Sequence, residues 1–111
     1  MLPENITAIV ARNDRWTGSA ASEPHEAGWA REAVFFVRAL KAPTGPQPVV
    51  RVEMSPDGMH WVAEGSEAPM PARKDEIVAL RVRHFGGWLR IAADFDGPAQ
   101  STVLVTLHLK A

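Results

Sequence analysis

The sequence predicts an all-β protein: one antiparallel β-sandwich of the jelly-roll or immunoglobulin-like class, with about seven strands. The first supporting observation is the turn Pro56-Asp57-Gly58 between two strand-like runs. Proline presets φ, aspartate can bond its own backbone, and glycine accepts the positive φ of a hairpin loop. The second is residues 102–110, where apolar and polar side chains alternate. Together they indicate short strands joined by tight turns.

The first three predicted strands differ in how they are expected to be covered. Residues 5–11 form the first and residues 32–41 the second, and β-branched or aromatic side chains are frequent in both. The alanines before residue 32 favour a helix, but the Val-Phe-Phe-Val centre that follows favours a strand with both faces largely covered. The third, residues 49–55, alternates cleanly with Arg51 and Glu53 on one side, as in a half-buried antiparallel strand.

The other strands follow turn signals. Residues 61–64 return from the Pro-Asp-Gly turn, residues 77–85 continue the sheet, and a Gly-Gly pair reverses the chain into residues 88–95. An Asp-Gly-Pro turn then leads into the last strand, residues 102–110. The side chains expected on the buried face of that last strand are Val103, Val105, Leu107 and Leu109.

Length, charge and cysteine content limit the function classes. The 111 residues predict one domain, residues 1–111, and the absence of cysteine argues against a disulfide-stapled secreted domain. Twelve Lys+Arg against thirteen Asp+Glu give no basic excess for nucleic acid. No apolar run approaches the roughly twenty residues that span a bilayer, so no membrane insertion is expected. Met1-Leu2-Pro3-Glu4 lacks the basic start of a signal peptide, which predicts a soluble, unprocessed chain.

Two connections exceed what a sandwich requires, because loops beyond about 12–15 residues are usually functional or disordered. Residues 12–30 are predicted to form a long arm or loop that carries two tryptophans. Either both tryptophans fold back over an open end of the sandwich, or the arm contacts another molecule. Residues 65–75 contain a methionine between two prolines, which fits core filler or a contact residue. The interface candidates from these connections and the Pro-rich residues 42–48 are Trp16, Trp29, Pro43, Pro46 and Met70.

Motifs for catalysis, cofactors and metals are not found, so no enzyme activity, cofactor or metal site is expected. The sequence has no cysteine nucleophile, no Gly-x-Ser-x-Gly elbow and no phosphate-binding glycine loop. Its four histidines are dispersed, and each is expected to face solvent or to cap local structure. Residues 23–26, Glu-Pro-His-Glu, match no zinc spacing, and residues 94–97 lack the ligands that would complete a calcium loop.

The remaining candidates for function are surfaces. Tryptophans provide stacking platforms for sugars or anchors for protein interfaces, although the absence of tyrosine leaves a sugar site dependent on tryptophan alone. Four arginines lie in or beside strands: Arg51, Arg81, Arg83 and Arg90. They are expected to pair across strands with Glu53 or Glu64, or to contact an acidic neighbouring subunit.

Residues 32–110 carry a resemblance to known proteins. Four consecutive features resemble those of small β-sandwich accessory proteins of tailed-phage virions. They are a Phe-Phe-Val-Arg-Ala-Leu strand, a Gly/Pro connection, the run Val-Arg-Val-Glu-Met-Ser-Pro-Asp-Gly-x-x-Trp, and Gly-Trp-Leu-Arg-Ile before a last alternating strand. The resemblance implies a non-enzymatic, decoration-type or spike-like subunit acting through protein–protein contacts. It also implies a homo-oligomer and/or a major capsid or other particle protein as partner. The location it implies is a virion or particle surface, after assembly in the bacterial cytoplasm.

A second resemblance supports the alternative function. The Ser-x-Asp-Gly-x-x-Trp and Leu-Arg-Ile signatures are similar to those of discoidin-like jelly rolls, which bind carbohydrate or membrane surfaces. It implies a carbohydrate-binding jelly-roll module with a surface glycan as ligand.

Overall fold

The computed structural model describes residues 5–111, so the expectation drawn from Met1–Glu4 lies outside the described residues. These residues contain no helix, and therefore none long and apolar enough to cross a membrane. The strands are β1 (Asn5–Trp16), β2 (Ser19–Ala21), β3 (His25–Glu26), β4 (Glu32–Ala39), β5 (Val49–Ser55), β6 (Val62–Pro69), β7 (Ile77–Arg83), β8 (Trp88–Asp94) and β9 (Ser101–Lys110).

The strands form two antiparallel sheets that pack together as a β-sandwich, which confirms the predicted fold class. One sheet has four strands in the order β1-β9-β4-β7. The other has the order β2-β8-β5-β6, and β3 also pairs with β8. Each of the seven predicted strands is present. The total within residues 5–111 is nine because two short strands form in the connection between β1 and β4.

The core lies between the inner faces of the two sheets. The four apolar side chains expected on one face of β9 are all fully buried: Val103, Val105, Leu107 and Leu109. The five-stranded sheet contributes side chains that are equally buried: Val50, Val52, Leu89 and Ile91. Burying each such side chain contributes about 1.5–3 kcal/mol, so this paired alternation is a major source of fold stability.

Residues 12–30, predicted as a long arm or loop, lie along the sandwich. Their first five residues extend β1, which bulges after Ile9 and again before Asp14. β2 and β3 then both pair with β8. The connection is therefore divided between the two sheets: residues 12–16 pair with β9 in the four-stranded sheet, and β2 and β3 are bonded to the five-stranded sheet. The second long connection is also shorter than predicted, because β6 continues to Pro69.

The turn between β5 and β6 uses the predicted residues in the predicted way. Gly58 has φ of 80°, in the left-handed region that favours glycine. The Ser55 hydroxyl accepts the Gly58 N–H at 2.8 Å and donates to Asp57 Oδ1 at 2.9 Å. That same carboxylate oxygen accepts the N–H groups of Met59 and His60, each at 2.8 Å. The corner is thus held by side-chain bonds to the backbone.

Candidate interaction surfaces

The outer face of the four-stranded sheet has an apolar centre. Phe36 lies opposite Thr106 on β9 and Ala79 on β7, and Ile9 on β1 lies opposite the same threonine. Ile77 lies one row away, across from Arg38. The exposed fractions are 46% for Ile9, 37% for Phe36 and 55% for Ile77. We call this surface the apolar face, made by Ile9, Phe36, Ile77, Leu104, Thr106 and His108.

A groove of about 270 Å³ runs along the apolar face and is lined by Phe36, Arg38, Ile77, Leu104, Thr106 and His108. His108, expected to face solvent, is half-buried here. Its ring stands edge-on to Phe36 with centroids 5.1 Å apart, and its Nδ1 lies 3.2 Å from Thr7 Oγ1. Among the described residues, no acidic side chain lines the groove. At one end Arg38 bonds Asp75 at 2.9 Å, so a polar rim borders the apolar centre.

The outer face of the five-stranded sheet carries a charge network around Glu53, whose exposure is only 9%. One carboxylate oxygen accepts from Arg90 at 2.7 Å and the other from Arg51 at 3.0 Å. Arg51 also donates to Asp94 at 2.8 Å. The bond to Glu53 raises the pKa of Arg51, and the bond from Arg51 lowers the pKa of Asp94. The expected cross-strand pairing with Glu53 is therefore present for Arg90, whereas Arg51 pairs with Glu53 along the same strand and with Asp94 across to β8.

Two tryptophans border this network. The guanidinium carbon of Arg90 lies 4.3 Å from the centroid of the Trp61 ring, a cation–π contact. Trp88 packs over the β5–β6 turn, where a Cβ on Gly58 would lie 3.2 Å from its ring. Both tryptophans are half-buried. We call this surface the charged face, made by Arg51, Glu53, Arg90, Asp94, Trp61 and Trp88.

A third concavity lies at one end of the sandwich. Its volume is about 460 Å³, and it is lined by Met54, Ser55, Pro56, Val62, Gly86 and Gly87. Gly87 is required for the close approach there, because a Cβ at that position would collide with the Ser55 carbonyl oxygen. Within residues 5–111, the walls of this concavity carry no titratable side chain.

The five interface candidates do not form one surface. Trp16 and Met70 are 4% and 3% exposed and belong to the core, which leaves a partner little of either side chain to touch. Trp29 and Pro43 are half-buried, and Pro46 is exposed. Trp16 follows the first of the two alternatives considered for residues 12–30, packing against the sandwich. A contact role for the other three candidates stays a prediction.

The apolar face was not among the predicted contact surfaces, although the sequence carried two signals for it. Leu104 interrupts the polar side of the last predicted strand, and Phe36 follows Phe35, so the second predicted strand has aromatic rings on both faces. Each exception lies on the outer face of the four-stranded sheet. At Leu104 the available sign was an apolar residue at a position expected to be polar. Residues 32–41 were expected to be covered on both faces, but the face that carries Phe36 is left uncovered by the second sheet.

Among residues 5–111, no group of three His, Asp or Glu side chains is arranged to hold a metal ion. One set of side chains has the composition of a hydrolase triad: Ser55, Asp57 and His60. Its hydrogen bonds build the turn, because the Ser55 hydroxyl bonds Asp57 and is 1% exposed, while His60 Nδ1 lies 2.6 Å from the other oxygen of Asp57. The histidine thus has no serine hydroxyl to activate.

No protein-family model matches the sequence, and no curated protein does. Solved structures do match the fold. The chain shares its fold with a prophage-derived protein. This is the SPBc2 prophage-derived protein YomS, with a TM-score of 0.67 and 10% identity over 100% of this chain and 96% of that one.

A second similar structure is that of the infectious bursal disease virus Gx strain, with a TM-score of 0.53 and 9% identity. The match covers 97% of this chain but 32% of the viral chain, so this protein corresponds to about a third of it. Both likenesses concern the fold. The fold neighbours therefore include a prophage protein and a viral structure.

Proposed function

We propose that the protein is a non-enzymatic structural subunit of a virion or phage-derived particle, attached to the particle surface as a decoration-type accessory after assembly in the bacterial cytoplasm. Two observations support the proposal. The fold matches a prophage-derived protein along the whole chain. The apolar face exposes apolar side chains on the outer side of an antiparallel sheet. The solvent-facing side of such a sheet normally carries polar residues.

The apolar face is the observation on which the proposal depends. Contiguous apolar patches with a polar rim mark interaction sites. The groove of about 270 Å³ is smaller than the roughly 300–1,000 Å³ of small-molecule sites. It suits one or two apolar side chains of a protein surface instead. Because no acidic group of residues 5–111 lines it and Arg38 at the rim is paired with Asp75, the partner that fits is an apolar protrusion of a particle protein.

The experiment measures attachment to particles in the source organism. Tagged protein is expressed there, particles are purified on a density gradient, and the particle-bound fraction is compared between variants. Ile77→Lys places a charge on the apolar face, and we expect it to abolish co-sedimentation. Val49→Lys is the matched control, because Val49 also begins a strand and is 48% exposed, but lies in the other sheet. Protein found only as a free small species, or equal effects of both variants, would contradict the proposal.

The charged face favours a second candidate function, carbohydrate binding. Two half-buried tryptophans lie beside arginines whose positions are fixed by a carboxylate, and sugars bind to aromatic faces bordered by such polar groups. A glycan array with wild type and Trp61→Ala tests this candidate. Each function has its own contrary result: a chain that does not co-purify with particles contradicts the particle role, and a chain that binds no glycan contradicts the second.

A further inference from the structure

We propose that residues 5–9 of β1 pair with the same residues of a second copy of this chain, antiparallel and across a two-fold axis near Thr7. This inference goes beyond the proposed particle role and does not require it. Within residues 5–111, β1 is an edge strand of the four-stranded sheet. Edge strands present unpaired N–H and C=O groups, and proteins normally blunt them with charges, proline, bulges or short length.

The other sheet edges carry such protection. β6 has Glu64, Glu67 and Pro69. β7 alternates Arg81 and Arg83 outward, and the Arg81 carbonyl accepts the Ser66 hydroxyl at 3.1 Å, which joins this edge to β6. β2 and β3 are three and two residues long. Each of these edges therefore carries at least one feature that discourages pairing with another chain.

The first half of β1 lacks all four forms of protection. Residues 5–11 contain no charge and no proline, and pairing with β9 stays regular from Asn5 to Ile9. Charges and bulges come later in the strand, after Ile9. From Val10 onward the chain covers the edge itself, because the Glu23 N–H donates to the Val10 carbonyl at 2.8 Å. Within the described part of the chain, the unprotected edge is thus Asn5–Ile9.

The partner strand is that of a second copy, because this segment is complementary to itself. In an antiparallel pair centred on Thr7, the two threonines oppose one another, Asn5 opposes Ile9, and Ile6 opposes Ala8. No like charges meet, and opposed residues share a face of the sheet. Ile6 and Ile9, which are 41% and 46% exposed, both gain a neighbour. The two four-stranded sheets become one of eight strands, with the two apolar faces side by side.

The size of the contact sets its strength. Five paired residues span about 17 Å. A contact one strand wide and that long buries less than the roughly 1,200 Å² of specific, stable interfaces. The dimer is therefore weak and concentration-dependent in solution, and it is reinforced wherever two copies are held side by side on a larger assembly.

The test places a positive charge at Thr7 in one variant and a negative charge there in another, so that each meets its own copy at the two-fold axis. Sedimentation over a wide concentration range is expected to show a wild-type monomer–dimer equilibrium. Thr7→Lys and Thr7→Glu each place like charges opposite one another, and each is expected to weaken the dimer by roughly fivefold or more. A one-to-one mixture of the two variants, one carrying a short mass tag, is expected to restore a heterodimer visible by native mass spectrometry.

Two further measurements keep the result interpretable. Amide exchange of residues 5–9 in the wild-type protein is expected to slow as concentration rises, which needs no variant. Ile77→Lys lies at the opposite edge strand and is expected to leave the dimer unchanged while it abolishes particle attachment, so failure of one proposal is distinguishable from failure of the other. A wild-type chain that is monomeric at every concentration overturns the inference. So does a dimer that the Thr7 variants do not weaken, or a mixture that forms no heterodimer.

Discussion

Replacing Glu53 with alanine tests whether the charged face is a fixed network or a set of incidental surface pairs. The Glu53 side chain is 12% exposed, and both of its oxygens accept charged hydrogen bonds. Its loss leaves Arg90 with the Trp61 ring alone and Arg51 with Asp94 alone. Two cationic groups then lose a bonded partner. This loss should lower stability, whereas the loss of a fully exposed ion pair changes stability very little.

The magnitude follows from burial. Removing one partner of a fully buried ion pair costs about 3–5 kcal/mol. Here the side chains of Arg51 and Arg90 are 34% and 27% exposed, so water recovers part of that loss. We therefore expect Glu53→Ala to lower the free energy of unfolding by about 1–3 kcal/mol. Glu53→Gln is expected to have a free energy of unfolding between those of wild type and Glu53→Ala. The reason is that its amide oxygen accepts from one arginine while its N–H groups face the other.

Urea unfolding measures these changes, with equal m-values as the check that the unfolded states are comparable. Glu67→Ala is the matched control, since Glu67 is an exposed carboxylate directly opposite Arg51 on β6. It is expected to change stability by less than about 0.5 kcal/mol. If Glu53→Ala matched this control, the network would contribute nothing measurable, and the argument from burial would be refuted.

Two further predictions concern the β5–β6 turn. Gly58→Val is expected to cost about 1–2 kcal/mol, because φ of 80° is strained for a side chain and Trp88 crowds the Cβ position, whereas Asp57→Ala should cost less. Urea melts of both variants check the order, and a Gly58→Val chain as stable as wild type would contradict it. The second concerns pH. Hydrogen bonds from the His60 N–H, the His60 ring and the Met59 N–H hold the pKa of Asp57 well below its ordinary value of 3.8. A lowered folded-state pKa stabilises the fold above pH 3.8, and this contribution is lost progressively as pH falls below that value. The stability difference between wild type and Asp57→Asn should therefore shrink on acidification, and a difference constant from pH 7 to the acid limit would count against these bonds.

The strands were predictable because their signal is local. In β5 and β9 apolar and polar residues alternate, and alternation needs no knowledge of the partner strand. The β5–β6 turn was predictable for the same reason, since proline, aspartate and glycine act within four residues. β2 and β3 were not, because strands of three and two residues depend on pairing with β8. Their sequence carries too little β propensity to indicate a strand unaided.

The surfaces were predictable only in part. Arg51 and Glu53 are two residues apart, so alternation alone places them on one face. The partnership with Asp94 depends on the register between β5 and β8, which sequence alone does not supply. The same limit applied to Phe36, because the second predicted strand is apolar on both faces and only the arrangement of sheets decides which ring is covered. Trp16 is the opposite case: it lies in a connection expected to be a polar arm or loop, and its side chain is buried in the core.

The two outer faces differ in how they meet water, and this difference orients the proposed particle subunit. On the outer face of the five-stranded sheet the charges make their hydrogen bonds within the molecule, so these groups are satisfied while they face solvent. The four-stranded sheet exposes large apolar side chains that gain from being covered. A subunit whose shortest dimension is 19 Å can present both surfaces at once, one on each side. Attachment through the apolar face would leave Trp61 and Arg90 on the side away from the particle, where a glycan would be met. In that arrangement the second candidate function does not compete with the first for the same surface, and loss of particle attachment in Ile77→Lys would leave glycan binding intact.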